Sequence, residues 1–257
     1  KEKSEFVINA AAKVGGILAN KRFPFDFLNE NLQIQSNLIN SASSNNVKKF
    51  IFLGSSCIYP KHSQQPLREN YLLNGSLEPT NEAFAIAKIA GLKLCESIRN
   101  QFKKEFITLI PANLYGLNDT FDIENSHVIP SMILKFHNAK VENLNEVLLW
   151  GTGEPLREFL HVDDLAEAII LILKLDKLSF DYYNIGSGEE ICIKDLALLI
   201  KKIVGFKGLI KWDKAKPDGT PRKCLDSKRI KNLGWKTKKN LDTTIVDYYI
   251  SFMNSIK

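Results

Sequence analysis

The 257 residues include only four cysteines, Cys57, Cys95, Cys192 and Cys224, and no two of them form a C-x-x-C pair. No histidine sits near them at metal-ligand spacing, so neither a metal site nor a disulfide framework is expected. A reduced, cytoplasmic protein is the simplest reading. Long apolar runs are also missing. The most apolar stretch, Ala168 to Leu173, is far too short to span a bilayer, so no membrane association is expected. The chain does not open on Met or on a charged-then-apolar signal segment. Charge of one sign is not concentrated anywhere. The net +6 comes from 35 basic and 29 acidic residues, and the densest basic run is three lysines around a threonine, Lys236 to Lys239. Such a run reads as a solvated face, and no nucleic-acid partner is expected. There is no repeat and no low-complexity segment. The glycine pairs Gly151/Gly153 and Gly186/Gly188 each lack a third glycine and come late, so the G-x-G-x-x-G phosphate-binding turn is absent.

What is present is an alternation of short β-rich runs with helical stretches. FVINAAA predicts a strand and Pro24 to Asn45 a helix. KKFIFLGSS predicts a strand buried on both faces, followed by a helix through Asn81–Gly91 and the strand ITLIPANL. This order argues for an α/β fold with a doubly wound parallel sheet. Functional residues are then expected at the carboxyl ends of strands, where GSSCIYP and PANLYG fall. Beyond Ser126 the pattern is more mixed. HVIPSMILKFHNAK predicts a helix, VLLWGTGEP a strand and turn, Val162 to Leu175 an apolar helix, YYNIGSG a strand and turn, and IKDLALLIKKIVG a helix. A smaller C-terminal α/β lobe is the expectation.

In NEAFAIAKIAG, Phe84 and Lys88 are four residues apart and share one helical face. A Tyr at the first position would be a proton donor tuned by the lysine, but Phe84 has no hydroxyl. In GSSCIYP, small residues after a strand let a ligand approach the backbone, and Ser55, Ser56 and Cys57 offer polar groups there. Taken alone, that segment reads better as a capped turn, Cys57 as a buried structural thiol, and His127 as a helix-start histidine.

Taken together, GSSCIYPK, LEPTNEAFAIAKIAGLKLCES, NLYG, NSHVIP, WGTGEPLREFLHVDD and KPDGTPRK resemble the GDP-L-fucose synthase family of extended short-chain dehydrogenases/reductases, from about Ala10 to the C-terminus. The resemblance implies a Rossmann-type sheet lacking its N-terminal strands. Residues 1–125 would form a partial NADP-binding domain and 126–257 mainly a substrate lobe, with about 145–185 returning to the first domain. It implies 3,5-epimerisation of GDP-4-keto-6-deoxy-D-mannose, then reduction at C4 by NADP(H), in a homodimer. It places Ser55, Lys88 and Phe84 at the serine, lysine and tyrosine positions, and makes Cys57 and His127 the epimerisation pair. Cofactor contacts would come from Leu53, Gly54, Ser55, Ser56, Lys88, Pro111, Ala112, Asn113, Leu114 and His127. The GDP-sugar would meet Lys135, Trp150, Arg157 and Asp218. Lys135 stands where the family usually has Arg, and PANL replaces Pro-Thr-Asn-Leu.

Two departures bear on activity. The chain is expected to start inside the nucleotide-binding domain and, on its own, to hold the cofactor weakly. Phe84 is expected to suppress reduction while leaving epimerisation intact. The other expectations are a non-catalytic nucleotide-sugar-binding relative or silent subunit, and an enzyme acting on another GDP-sugar.

Overall fold

The computed structural model describes residues 4–122 and 126–255. The first half runs β1 (Phe6–Asn9), α1 (Ile17–Arg22), α2 (Pro24–Ser44), β2 (Lys49–Leu53), α3 (Glu82–Phe102), β3 (Glu105–Pro111) and β4 (Asn113–Tyr115). Next come α4 (Val128–Val141), β5 (Glu146–Trp150), β6 (Leu156–His161), α5 (Val162–Lys174) and β7 (Tyr182–Ile185). The chain closes with β8 (Glu190–Cys192), α6 (Ile193–Val204), β9 (Leu209–Asp213), β10 (Arg222–Lys223), α7 (Lys228–Lys231) and α8 (Leu241–Ser255).

The main sheet has the order β1-β2-β3-β7, and every pairing in it is parallel. Alternation along β2 explains how the sheet is covered. Phe50 and Phe52 project into a core with Ile39, Cys95, Ile98 and Phe106 from the α2/α3 side. Ile51, between them, points the other way, into a core with Leu165, Ala168 and Ile172 of α5. A sheet buried on both faces accounts for the uninterrupted apolar run FIFL, Phe50 to Leu53. The first residue of β2, Lys49, is buried and donates to the carbonyls of Ile172, at 2.9 Å, and Leu175 at the end of α5. Its charge therefore faces the negative end of a helix, where it is stabilising.

Helices α2 and α3 approach closely at Gly91. A Cβ there would lie 2.5 Å from the Phe52 ring and 2.8 Å from Gln35 Oε1. Gln35 in turn donates from Nε2 to the Ala87 carbonyl at 2.6 Å. This contact fixes the height of α3 over the sheet, and with it the position of Phe84 and Lys88.

The second core joins α4, α6 and α8 with β5 and β9, through Ile133, Phe136, Leu149, Ile200, Ile245 and Phe252. β5 pairs with β9 in this lobe, whereas β7 returns to the main sheet. Leu225, Ile230 and Trp235, far along the chain, pack in the core beneath that sheet. β6 straddles the two bodies, since Phe159 faces the lobe core and Leu160 the sheet core. Among the described residues no helix is long and apolar enough to cross a membrane.

Candidate active site

The carboxyl ends of β2 and β3 face the lobe across a cleft of about 350 Å³. Ser55 opens the turn after β2 with extended backbone, and its Oγ accepts from the Cys57 amide at 3.4 Å. The Cys57 thiol donates to the same oxygen at 3.1 Å. Cys57 is 6% exposed, and burial pushes its pKa up. Lys223, the Ser55 hydroxyl and Lys88 pull it back down. His127, exposed at the mouth of the cleft, occupies the N-cap position of α4 with its side chain uninvolved in capping.

Phe84 lines the cleft on the first turn of α3, its ring edge-on to Phe27 at 6.2 Å. Lys88, one turn on, stands behind it and outside the cleft wall. Its ammonium donates to the Leu53 carbonyl at 2.9 Å, 4.8 Å from the Phe52 ring centre and 5.7 Å from that of Phe84. Burial between two aromatic rings lowers its pKa from 10.5 to about 8. The linkage has a definite sign. Because the folded pKa lies below the unfolded one, the folded chain binds fewer protons between pH 8 and 10.5. The stability of the wild type relative to Lys88→Met should therefore rise across that window, by at most about 3 kcal/mol. Urea denaturation of both proteins at pH 7 and pH 10.5 measures it, and parallel curves would refute it.

Of the residues expected to hold the cofactor, Ser55, Ser56, Asn113, Leu114 and His127 line the cleft. Leu53, Gly54, Pro111 and Ala112 form the strand ends beneath it, and Lys88 reaches them through the Leu53 carbonyl. The Asn113 amide is fixed by donating to the Glu158 carbonyl at 2.9 Å. The ends of β1, β2 and β3 carry small residues side by side, namely Ala10 and Ala11, Gly54 and Ser55, and Ala112. The buried Asn9 Nδ2, at the end of β1, has no hydrogen-bond partner. A groove of small residues with an orphan donor at its base fits a dinucleotide laid across strand ends.

Across the cleft, Trp150 ends β5 and carries two ammonium groups over its ring, Lys135 at 5.1 Å and Lys216 at 5.6 Å. Arg157, on β6, donates to the carbonyls of Leu156 at 2.9 Å and Asp218 at 3.1 Å. Burial lowers its pKa to about 10, against the pull of Asp218 and Glu78. The Asp218 carboxylate accepts from the Thr152 amide and hydroxyl, both at 2.8 Å, and so ties the Gly151–Gly153 turn to the 216–220 loop. A side chain at Gly151 would collide with it at 2.1 Å, and the backbone there has φ +77°. All four residues expected to meet the sugar nucleotide thus lie on one wall.

Sequence reasoning missed Glu78, Lys216 and Lys223, although all three lie in or next to the quoted motifs. Desolvation lowers the pKa of Lys88, Lys135, Arg157 and Lys223 alike; Asp218 and Glu78 face Arg157, and Glu78 faces Lys223. Positive charge in excess, partly stripped of water, suits a diphosphate, and the fork of Arg157 suits it best. Among the described residues no cluster of side chains could hold a metal ion.

A positively charged cleft at the carboxyl ends of a parallel sheet, with a serine and an aromatic-x-x-x-lysine helix, defines a dehydrogenase-type nucleotide-binding protein. Residues 1–186 match the "NAD dependent epimerase/dehydratase family". The chain is 54% identical over 256 residues to "Putative GDP-L-fucose synthase 2" of Arabidopsis thaliana, covering 99% of this chain and 77% of that protein. Two solved Campylobacter jejuni structures are also similar. A GDP-6-OMe-4-keto-L-xylo-heptose reductase superposes with a TM-score of 0.92 at 37% identity, covering 99% of this chain and 84% of the other. A GDP-mannoheptose C4 reductase with NADP bound gives 0.86 at 36% identity, covering 98% and 83%. The chain belongs to the NAD-dependent epimerase/dehydratase family and groups there with the GDP-L-fucose synthases.

Proposed function

We propose that this protein is an epimerase/reductase of GDP-4-keto-6-deoxy-D-mannose whose epimerase half is intact and whose reductase half is suppressed. The observation that carries the reading is the convergence of Ser55, Cys57, Phe84, His127 and Arg157 on one cleft. Arg157, Lys135 and Trp150 would hold the diphosphate and the base or sugar, which turns C3 and C5 of the hexose toward Cys57 and His127. Removing a proton beside the C4 ketone gives an enolate. Returning a proton on the opposite face inverts the carbon, and a thiolate and an imidazolium at the two sides can do both. Ser55 donates to the C4 oxygen and steadies the enolate charge.

NADP(H), when bound along the ends of β1, β2 and β3, supplies hydride to C4. The alkoxide formed there needs a proton, and the phenyl ring of Phe84 has none to give. The division of labour we infer is a sheet domain for the cofactor and a lobe for the sugar nucleotide. A homodimer would cover Phe25, Leu38 and Ile86, apolar residues left exposed on α2 and α3. A second substrate reading, a GDP-heptose, is favoured by the two Campylobacter jejuni relatives.

Incubation with GDP-4-keto-6-deoxy-D-mannose and NADPH in heavy water tests the proposal. Deuterium should enter C3 and C5 while NADPH oxidation stays slow. Binding of the sugar nucleotide with no deuterium uptake would instead identify a silent nucleotide-sugar binder. Uptake only from a GDP-heptose would move the substrate.

A further inference from the structure

Cys57 is buried, and a thiol stripped of water stays protonated and is a poor base. Lys223, on β10, lines the cleft beside it. The same two residues, with Tyr59 and Glu78, also wall a cavity of about 10 Å³ behind the cleft, roughly the size of one water. Both segments are pinned. Tyr59, two residues after Cys57, donates from its hydroxyl to the buried Asn184 Oδ1 at 2.6 Å. On the other side, β10 pairs with β6, the Cys224 amide donates to Gln65 Oε1 at 3.0 Å, and the Leu225 amide to Glu158 Oε2 at 2.8 Å.

The charges around the pair are few. Lys223 faces Cys57, Arg157 and Glu78, and Cys57 faces Lys223 and Lys88, with the Ser55 hydroxyl bonded to it. Glu78 is engaged by Lys61 at 2.9 Å, and among the described residues Lys223 has no carboxylate at ion-pair distance. Lys88 is turned away, onto the Leu53 carbonyl. We propose that Lys223 is the cation that keeps Cys57 available as a thiolate, a positioning residue for proton abstraction rather than a further ligand for the diphosphate. The inference rests on Cys57 being the base of the proposed epimerisation. A desolvated ammonium with no fixed counter-ion favours charge on the one group beside it that can ionise.

The test is site-resolved alkylation by iodoacetamide as a function of pH, read by peptide mass spectrometry on the whole chain. Half-buried Cys192 serves as an internal control. Lys223→Met should slow alkylation of Cys57 at pH 7 by about tenfold and move its pH midpoint up by about one unit. Lys223→Arg should restore the profile, and Cys192 should not change. Lys223→Gln provides a second, polar replacement should the Met variant fold poorly. A Cys57 profile that coincides with the wild type in the neutral variant, or an arginine variant that fails to restore it, overturns the inference. So does a Lys223→Met protein that only raises KM for the sugar nucleotide. Deuterium uptake by Cys57→Ser separates this from the functional reading. Retained uptake there refutes Cys57 as the base, whereas the alkylation profile reports on Lys223 independently.

Discussion

Phe84→Tyr should raise NADPH-dependent reduction of the 4-keto sugar by about 10²–10⁴-fold, the usual contribution of a placed general acid. The substitution adds one oxygen to a ring that already lines the cleft. It leaves the edge-on contact with Phe27 and the α2/α3 packing at Gly91 in place, so stability should hold within about 0.5 kcal/mol. Lys88 is where the new phenol needs it, one helical turn away with its ammonium 5.7 Å from the ring centre. Deuterium uptake at C3 and C5 should not change, because Cys57 and His127 are untouched. The gained activity should also carry a pH signature. Lys88 loses its proton near pH 8, and above that it no longer lowers the phenol pKa, so the gain should fall as pH rises past 8. Stopped-flow NADPH oxidation measures all of this. Unchanged reduction in the tyrosine variant would mean that Phe84 is not at the proton-donor position.

The parts of the site legible in the sequence are those that local rules encode. The i, i+4 spacing put Phe84 and Lys88 on one face of a helix, and the all-apolar run before GSSC marked a strand with a buried approach. The structure has both, as α3 and β2. The parts that were not legible depend on contacts distant in sequence. β10 is two residues long and β4 and β8 three each, too short for any period to register. β10 exists because it pairs with β6, and it is this pairing that brings Lys223 to Cys57. Glu78 reads as an ordinary surface glutamate in LEPTNE, yet Lys61 and the turn before α3 bury it against the cleft. The interleaving of the two bodies was hidden for a similar reason. Phe159 and Leu160 are adjacent apolar residues, and only the sheet shows that they belong to different cores.

Cys57→Ser should abolish deuterium uptake at C3 and C5, a loss of about 10²-fold or more, because a serine hydroxyl cannot supply a base near neutral pH. The change is small in volume and keeps a polar atom near Ser55 Oγ, so the fold should survive with a cost of about 1 kcal/mol. The informative protein is the double variant Phe84→Tyr/Cys57→Ser. If the two half-reactions use separate groups, as proposed above, this protein should oxidise NADPH at a rate close to that of the tyrosine variant. Its product should be reduced at C4 with C3 and C5 uninverted and free of deuterium. Product stereochemistry by NMR decides the point. A fully inverted product would show that His127 or another group abstracts the protons. Loss of both activities would show that the thiol also holds the sugar for hydride transfer. Reduction without inversion would establish that one cleft runs two chemistries through two sets of side chains, and that the missing phenolic oxygen of Phe84 silences only one of them.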